Sequence, residues 1–147
     1  MDGYDVLKLE NQVCFPLYAC AKELVRQYGP YLSELNLTYT QYIVMMVLWE
    51  KETVGSRELA ECLHLDYGTL TPVLNRLRQA GYLVKTRSSD DERVLTLSLT
   101  DAGRALKEKA VSIPGSLAER MGLTEEEFGT LYRLAYKALN HMEAGDR

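Results

Sequence analysis

The chain has 147 residues, 46% hydrophobic and 26% charged, which suits one soluble domain with an extension and an ordinary apolar core. Its 17 basic and 21 acidic residues give a net charge of -4, which argues against indiscriminate nucleic-acid binding, and no apolar run reaches the length of a membrane span. MDGYDVLKLE lacks the character of a secretory signal, so the expected location is the cytoplasm, where Cys14, Cys20 and Cys62 are reduced thiols. No Cys-x-x-Cys pair or Cys/His spacing fits a structural metal, and no cofactor is expected.

In chain order, Cys14, Leu17, Tyr18, Ala21, Leu24, Val25 and Tyr28 fall at three- and four-residue steps and predict a helix over 6–28. Pro16 cannot donate to the carbonyl of Gln12 and is expected to kink that helix. Gly29-Pro30 is expected to end it and open a short second one. Thr38 suits the N-cap of a buried helix, TYTQYIVMMVLWEK. Val54-Gly55-Ser56 marks a turn, with Ser56 capping RELAECLHL and Glu58 near the favourable end of its dipole.

Beyond Asp66 a helix is expected with Leu70, Val73, Leu74 and Leu77 facing the core and Gly81 as its stop. Residues 82–86 and 94–99 alternate as strands around the polar tip SSDDER. Thr100 caps a further helix that Ile113-Pro114-Gly115 breaks. Thr124 and Glu127 form a capping box, and the helix they open carries Phe128, Leu131, Tyr132, Ala135, Ala138, Leu139 and Met142 on one face.

The expected fold is mainly α with a small β-hairpin wing, a winged helix-turn-helix. From Tyr67 to Ser89 the chain carries Arg76, Arg78, Lys85 and Arg87 and no acid, a cationic stretch in an acidic protein. A helix followed by a hairpin with that charge suits double-stranded DNA. The reader and its following helix span 38–111, flanked by 1–37 and 112–147, whose long apolar stripes need a cover. A homodimer through those helices provides it and presents two reading helices to successive major grooves of a pseudo-palindromic operator. Alternatively, the flanking helices cover the reader's own core.

Several of these residues resemble the MarR family of bacterial transcription regulators. Leu65-Asp66-Tyr67-Gly68-Thr69-Leu70-Thr71-Pro72 with Asn75-Arg76-Leu77 is similar to the turn and recognition helix of that family. Asp91-Glu92-Arg93 and Leu99-Thr100-Asp101-Ala102-Gly103 are similar to its wing and next helix. The likeness spans nearly the whole chain and implies a single MarR-like domain over 1–147. Upstream, Asn11-Gln12-Val13-Cys14-Phe15 and Leu37-Thr38-Tyr39-Thr40-Gln41-Tyr42 resemble the organic-hydroperoxide sensing (OhrR) branch, of the one-cysteine type. Thr40 stands where that pattern has proline. The resemblance implies that Cys14 is the peroxide sensor, that Tyr28 and Tyr39 hydrogen-bond to it from the partner subunit, and that Tyr18 lies nearby.

The chemistry bears on that implication. A cysteine reacts with peroxide as its thiolate, and phenolic hydroxyls favour the anion by donating to it. Tyr18 is four residues from Cys14, on the same helix face. Tyr28 is 14 residues on, roughly 21 Å along a helix, and cannot reach Cys14 of its own chain. Cys20 lies about 9 Å along the axis and roughly 120° round, outside the ~7 Å that a disulfide allows. Resolution by a small thiol, or overoxidation, is the expected fate of oxidised Cys14. Cys62 is expected to be a packed core thiol.

For DNA, Tyr67, Thr69, Thr71, Asn75 and Arg76 are the candidate contacts on the recognition helix, Asn suiting adenine and Arg guanine. Lys85 and Arg87 suit phosphates, and Arg93, oriented by Asp91, suits the minor groove. The resulting expectation is a DNA-binding regulator, a repressor, released by oxidation of Cys14 by an organic hydroperoxide or another thiol oxidant. Two alternatives stay open: release by a small aromatic ligand, and a thiol peroxidase. The peroxidase lacks a second catalytic group, so the chain is not expected to be an enzyme.

Overall fold

The computed structural model describes residues 3–87 and 95–146. It divides into two compact units, 1–113 and 114–147, and each is described by itself.

In the first unit, short 3-10 turns at Asp5–Leu7 and Leu9–Asn11 lead into helix α1 (Cys14–Glu34). There follow α2 (Tyr39–Lys51), strand β1 (Thr53–Gly55), α3 (Ser56–Leu63), α4 (Tyr67–Gln79), β2 (Leu83–Arg87), β3 (Leu95–Leu99) and α5 (Asp101–Ala110). The strands form one antiparallel sheet in the order β1-β3-β2, with Leu97 of β3 opposite Val54 on one side and Lys85 on the other. This is the expected winged helix-turn-helix, with α3 and α4 as the motif and β2–β3 as the hairpin. The tip SSDDER, with Asp91 and Arg93, lies outside the described residues.

Helix α1 departs from expectation at three points. It starts at Cys14, so Pro16 sits in the first turn, where a missing N–H removes no hydrogen bond, and the expected kink is absent. It also runs through Gly29-Pro30 instead of ending there. An interior proline costs about 3 kcal/mol. Beyond it, however, Leu32, Leu35 and Leu37 are all buried, each side chain contributing about 1.5–3 kcal/mol, and that outweighs the local penalty. The helix stops at Asn36, in the left-handed region (φ 55), with Leu37 N–H donating to the Leu32 carbonyl at 3.0 Å. The same six-to-one stop recurs at His64 (φ 52), where Leu65 bonds Ala60, and at Gly81 (φ 83), where Tyr82 bonds Leu77.

The core gathers on α2, which buries Tyr42, Val44, Met45, Leu48 and Trp49 and is capped by Thr38 and Gln41 in a reciprocal box. Helix α4 adds Leu70, Leu74 and Leu77, and the sheet adds Val54, Leu83 and Leu97. The expected turn at Val54-Gly55-Ser56 is instead a short strand running into α3. Ser56 is buried inside that helix, and its Oγ accepts from Leu95 N–H at 3.2 Å. Thr100 caps α5 as expected.

Ile113-Pro114-Gly115 opens α6 (Ile113–Arg120), most of which belongs to the second unit, and the break falls before it, at Val111 and Ser112. Helix α7 (Glu125–Gly145) starts in the expected Thr124–Glu127 capping box. It has no buried residue, and Phe128, Tyr132, Tyr136 and Met142 are each over 40% exposed.

Gly103 is closely approached by its neighbours. A Cβ there would stand 2.2 Å from the carbonyl oxygen of Tyr82 and 2.9 Å from Leu99 Cδ1. Backbone cannot yield as a side-chain tip can. Gly103→Ala is therefore expected to cost about 3 kcal/mol, read as a lower urea midpoint at unchanged m-value.

Candidate functional site

Cys14, Cys20 and Cys62 are all exposed. Cys62 is thus not the expected core thiol. Helix α3 buries Ser56, Leu59 and Ala60, and Cys62 follows the exposed Glu58 by one turn, away from that face. Glu58 itself pairs with Lys51.

Cys14 is the first residue of α1. The two residues before Val13 fold the chain that leads to it: Asn11 Nδ2 donates to the Asp5 carbonyl at 2.7 Å, and Gln12 Nε2 to those of Val6 and Lys8. Asn11 and Gln12 thus hold the turns that deliver the thiol to a helix start, where free N–H groups and the dipole favour negative charge. Tyr18, one turn along, is 62% exposed, with Lys22 Nζ 5.3 Å from its ring centroid.

Tyr28 and Tyr39 come together: their ring centroids are 5.0 Å apart across the α1–α2 junction. Tyr42, which sequence reasoning did not assign to the site, completes the cluster at 5.6 Å from Tyr28 and 6.4 Å from Tyr39. Its spacing from Tyr39, three residues on one helix, was the available signal. Burial, then the neighbouring Tyr39, raises the Tyr28 phenol above its ordinary value, and burial with both neighbours pushes Tyr42 up to about 12. Both therefore keep their protons, and their capacity to donate, at neutral pH. Cys14 is not part of this cluster. It begins the same unbroken helix, 14 residues earlier, roughly 21 Å away along the axis.

On α4, Asp66 caps the first turn, its Oδ1 accepting from Thr69 N–H at 2.7 Å, and the Thr69 and Gly68 donors hold its carboxyl below the usual range. Tyr67, Thr69, Thr71 and Arg76 are exposed on this helix, and Arg87 is exposed on β2. Thr71 Oγ1 donates to the Tyr67 carbonyl at 2.7 Å, so its hydrogen is committed within the helix. Asn75 is half-buried and accepts from Lys85 Nζ at 2.5 Å, tying α4 to β2. Burial, then Arg78, lowers the Lys85 ammonium below its ordinary value.

A cleft of about 420 Å³ opens where the α1–α2 turn faces the end of α4, lined among others by Asn36, Thr38, Gln41, Arg76 and Tyr82. Among the described residues no cluster of three His, Cys, Asp or Glu could hold a metal ion, and no helix is long and apolar enough to cross a membrane.

The family model described as transcriptional regulator SarA/Rot matches residues 26–110, from the second half of α1 to the end of α5. The organic hydroperoxide resistance transcriptional regulator of Bacillus subtilis is 47% identical over 131 residues, covering 89% of this chain and 87% of its own. The chain belongs to the MarR-like SarA/Rot family of transcriptional regulators. The fold agrees with solved members of this MarR-like group. Reduced AbfR bound to DNA superposes with a TM-score of 0.77 at 30% identity, over 92% of this chain and 95% of that one. AbfR has also been solved overoxidised on DNA (TM-score 0.75, 29% identity, 92% of this chain and 96% of that one). A cysteine-to-serine mutant of MarR from E. coli, complexed with operator DNA, gives a TM-score of 0.80 at 25% identity, over 95% of this chain and 99% of that one. Members of the family regulate transcription and are not enzymes.

The Asp66 cap has a pH signature. Its carboxyl lies below the ordinary value of 3.8 in the folded chain, so its contribution is complete above the unfolded value and is lost as pH falls through the folded one. Asp66→Asn keeps an acceptor oxygen and removes the titration. The thermal midpoint of the variant, taken relative to the native chain, is expected to rise as pH falls from 7 to 3.

Proposed function

We propose that the chain is a homodimeric DNA-binding repressor whose affinity for a pseudo-palindromic operator falls when an organic hydroperoxide oxidises Cys14. One observation carries this reading: α1 runs unbroken from the exposed Cys14 to Tyr28, which pairs with Tyr39 at 5.0 Å. A thiol and its phenol donors held at opposite ends of one rigid helix meet only if a second chain lies antiparallel alongside. Exposed Val13, just before α1, and Leu17, Tyr18 and Val25 along it suit such a partner, as do the exposed apolar residues of α7. The B. subtilis relative, a regulator of organic hydroperoxide resistance, supports the choice of oxidant.

The chemistry balances without a cofactor. The Cys14 thiolate attacks the outer oxygen of the hydroperoxide, the O–O bond breaks, and the alcohol leaves after taking a proton. The cysteine becomes a sulfenic acid. A small cellular thiol then condenses with it, releasing water and leaving a mixed disulfide. Cys20 does not serve as the resolving thiol, since six residues of intact helix hold it too far from Cys14. On the DNA side, Tyr67, Thr69, Thr71 and Arg76 face the major groove, with Asn75 supporting them through Lys85. Arg87 and Lys85 serve phosphates, and Arg93, oriented by Asp91, enters the minor groove. The domain is single, with 1–37 and 112–147 as dimerisation segments and 38–111 as reader, and it acts in the cytoplasm.

A gel shift with reduced protein, before and after organic hydroperoxide plus a small thiol, tests the sensor. The native chain is expected to lose at least tenfold in affinity, as are the Cys20→Ser and Cys62→Ser variants, whereas Cys14→Ser keeps its affinity. Release of Cys14→Ser by oxidant would falsify the assignment. Tyr28→Phe and Tyr39→Phe are expected to slow oxidation of Cys14 while leaving reduced DNA binding intact. Light scattering is expected to give about twice the 16.7 kDa chain mass.

The cleft at the end of α4 supports a second reading, in which a small aromatic acid releases the operator. Arg76 offers its carboxylate a cation, and Tyr82 offers its ring a face. Release by phenolic acids, unaffected by reductant and retained in Cys14→Ser, would favour it.

A further inference from the structure

Pro72 occupies the sixth position of α4, in the interior of a 13-residue helix. Proline has no N–H, so the Gly68 carbonyl one turn earlier loses its normal helical donor, and the pyrrolidine ring crowds that oxygen outward. At 100° per residue, Leu70, Leu74 and Leu77 mark the buried face of α4, and Gly68, Pro72 and Gln79 lie almost diametrically opposite. Gly68, Pro72 and Gln79 are all exposed. The centre of the outward face of the reading helix therefore carries a carbonyl without its helical donor beside a short apolar ring.

The neighbours sharpen this. Adenine is normally read by an Asn whose Oδ1 accepts from the N6 amine while its Nδ2 donates to N7. Here Asn75 Oδ1 is held by the Lys85 ammonium at 2.5 Å, and the Thr71 hydroxyl is turned back onto the Tyr67 carbonyl. Asn75 and Thr71 are thus engaged within the chain, whereas the Gly68 carbonyl lacks its helical donor.

We propose that the Gly68–Pro72 step reads an A·T pair in the major groove: the Gly68 carbonyl accepts from the N6 amine of adenine, and the Pro72 ring packs on the C5-methyl of the paired thymine. This rests on the DNA-reading role of α4 and names its specificity-determining atoms. Main chain and proline do this together. The helix forgoes a hydrogen bond to expose an acceptor that no rotamer change can withdraw. Gly68 fits the arrangement structurally too, because a Cβ there would meet Asp66 Oδ1 at 3.3 Å. The decisive variant is therefore at Pro72.

Pro72→Ala restores an N–H that can donate to Gly68 and removes the ring. The experiment selects duplexes from a random-sequence library with the reduced full-length chain, native and Pro72→Ala, and then measures affinities for the selected duplexes. The variant is expected to melt at higher temperature and to bind unselected DNA as the native chain does. Its preference for A·T over G·C at one position of each half-site is expected to fall about tenfold. For the native chain, changing that thymine to uracil, or that adenine to a purine lacking the N6 amine, weakens binding; both changes are silent for Pro72→Ala. An unchanged consensus and preference in Pro72→Ala overturn the proposal, as does indifference of the native chain to both base analogues. A native chain that selects no consensus at all overturns instead the DNA-reading role on which the proposal stands.

Discussion

The reader is organised around the contact at Gly103. Trp49 Nε1 donates to the Gly103 carbonyl at 2.9 Å inside the protein, and the bare Gly103 Cα lets the Tyr82 carbonyl approach to where a side chain would stand. Thr100 completes the junction, its Oγ1 donating to the Gly81 carbonyl at 2.6 Å and its N–H to that of Tyr82 at 3.2 Å. The end of α2, the start of α5, the end of α4 and the root of the hairpin are thus tied at one place. Tyr42 packs edge-on against Trp49 at 6.1 Å and touches Tyr28 and Tyr39 at its other side. Any displacement of the tyrosine pair therefore meets Tyr42 first and the Trp49–Gly103 bond next. Close-packed interiors respond to such a push by switching arrangement rather than by deforming gradually.

The reading helix combines a costly residue with a strong anchor. Pro72 costs about 3 kcal/mol in a helix interior, whereas Leu70, Leu74 and Leu77, each at most 3% exposed, contribute about 1.5–3 kcal/mol apiece. The anchor exceeds the penalty, so α4 forms through its proline instead of starting after it. Charge follows the same division. Lys85 gives up part of its hydration to hold Asn75, which fixes β2 against α4, while Arg76 and Arg87 stay exposed, where phosphate or base can reach them. The cation that ties β2 to α4 is thus half-buried, and Arg76 and Arg87 are not.

Much of this was legible in the chain because it depends on local chemistry. Thr38, Asp66, Thr100 and Thr124 cap helices as their side chains dictate, and Gly81 stops α4 because glycine enters the left-handed region freely. Asn36 and His64 make the same stop without glycine, held by the burial of Leu35, Leu37 and Leu59 around them, and no local pattern announces that. Strand β1 is hidden for the same reason: three residues are a strand only because Val54 pairs with Leu97, over forty positions away. Pro16 and Pro30 mislead in opposite ways, the first because the helix starts only at Cys14 and takes the proline into its first turn, the second because burial further along overrides it. At the candidate site, the Tyr28–Tyr39 pair was legible through the family pattern, whereas Tyr42, and the engagement of Asn75 by Lys85, required the packing of separate elements.

The position of Cys14 has a consequence for what oxidation can do. The first buried residue of α1 is Leu32, so the half of the helix that begins at the thiol contributes nothing to the core of the reader. With Pro16 in the first turn, that half is a regular helix with no weak point to unwind. Cys14 therefore stands on a stretch of helix that the core of the reader does not rest on. Under the proposed function, oxidation at this thiol would therefore bear on the relation between chains and not on the core of either one.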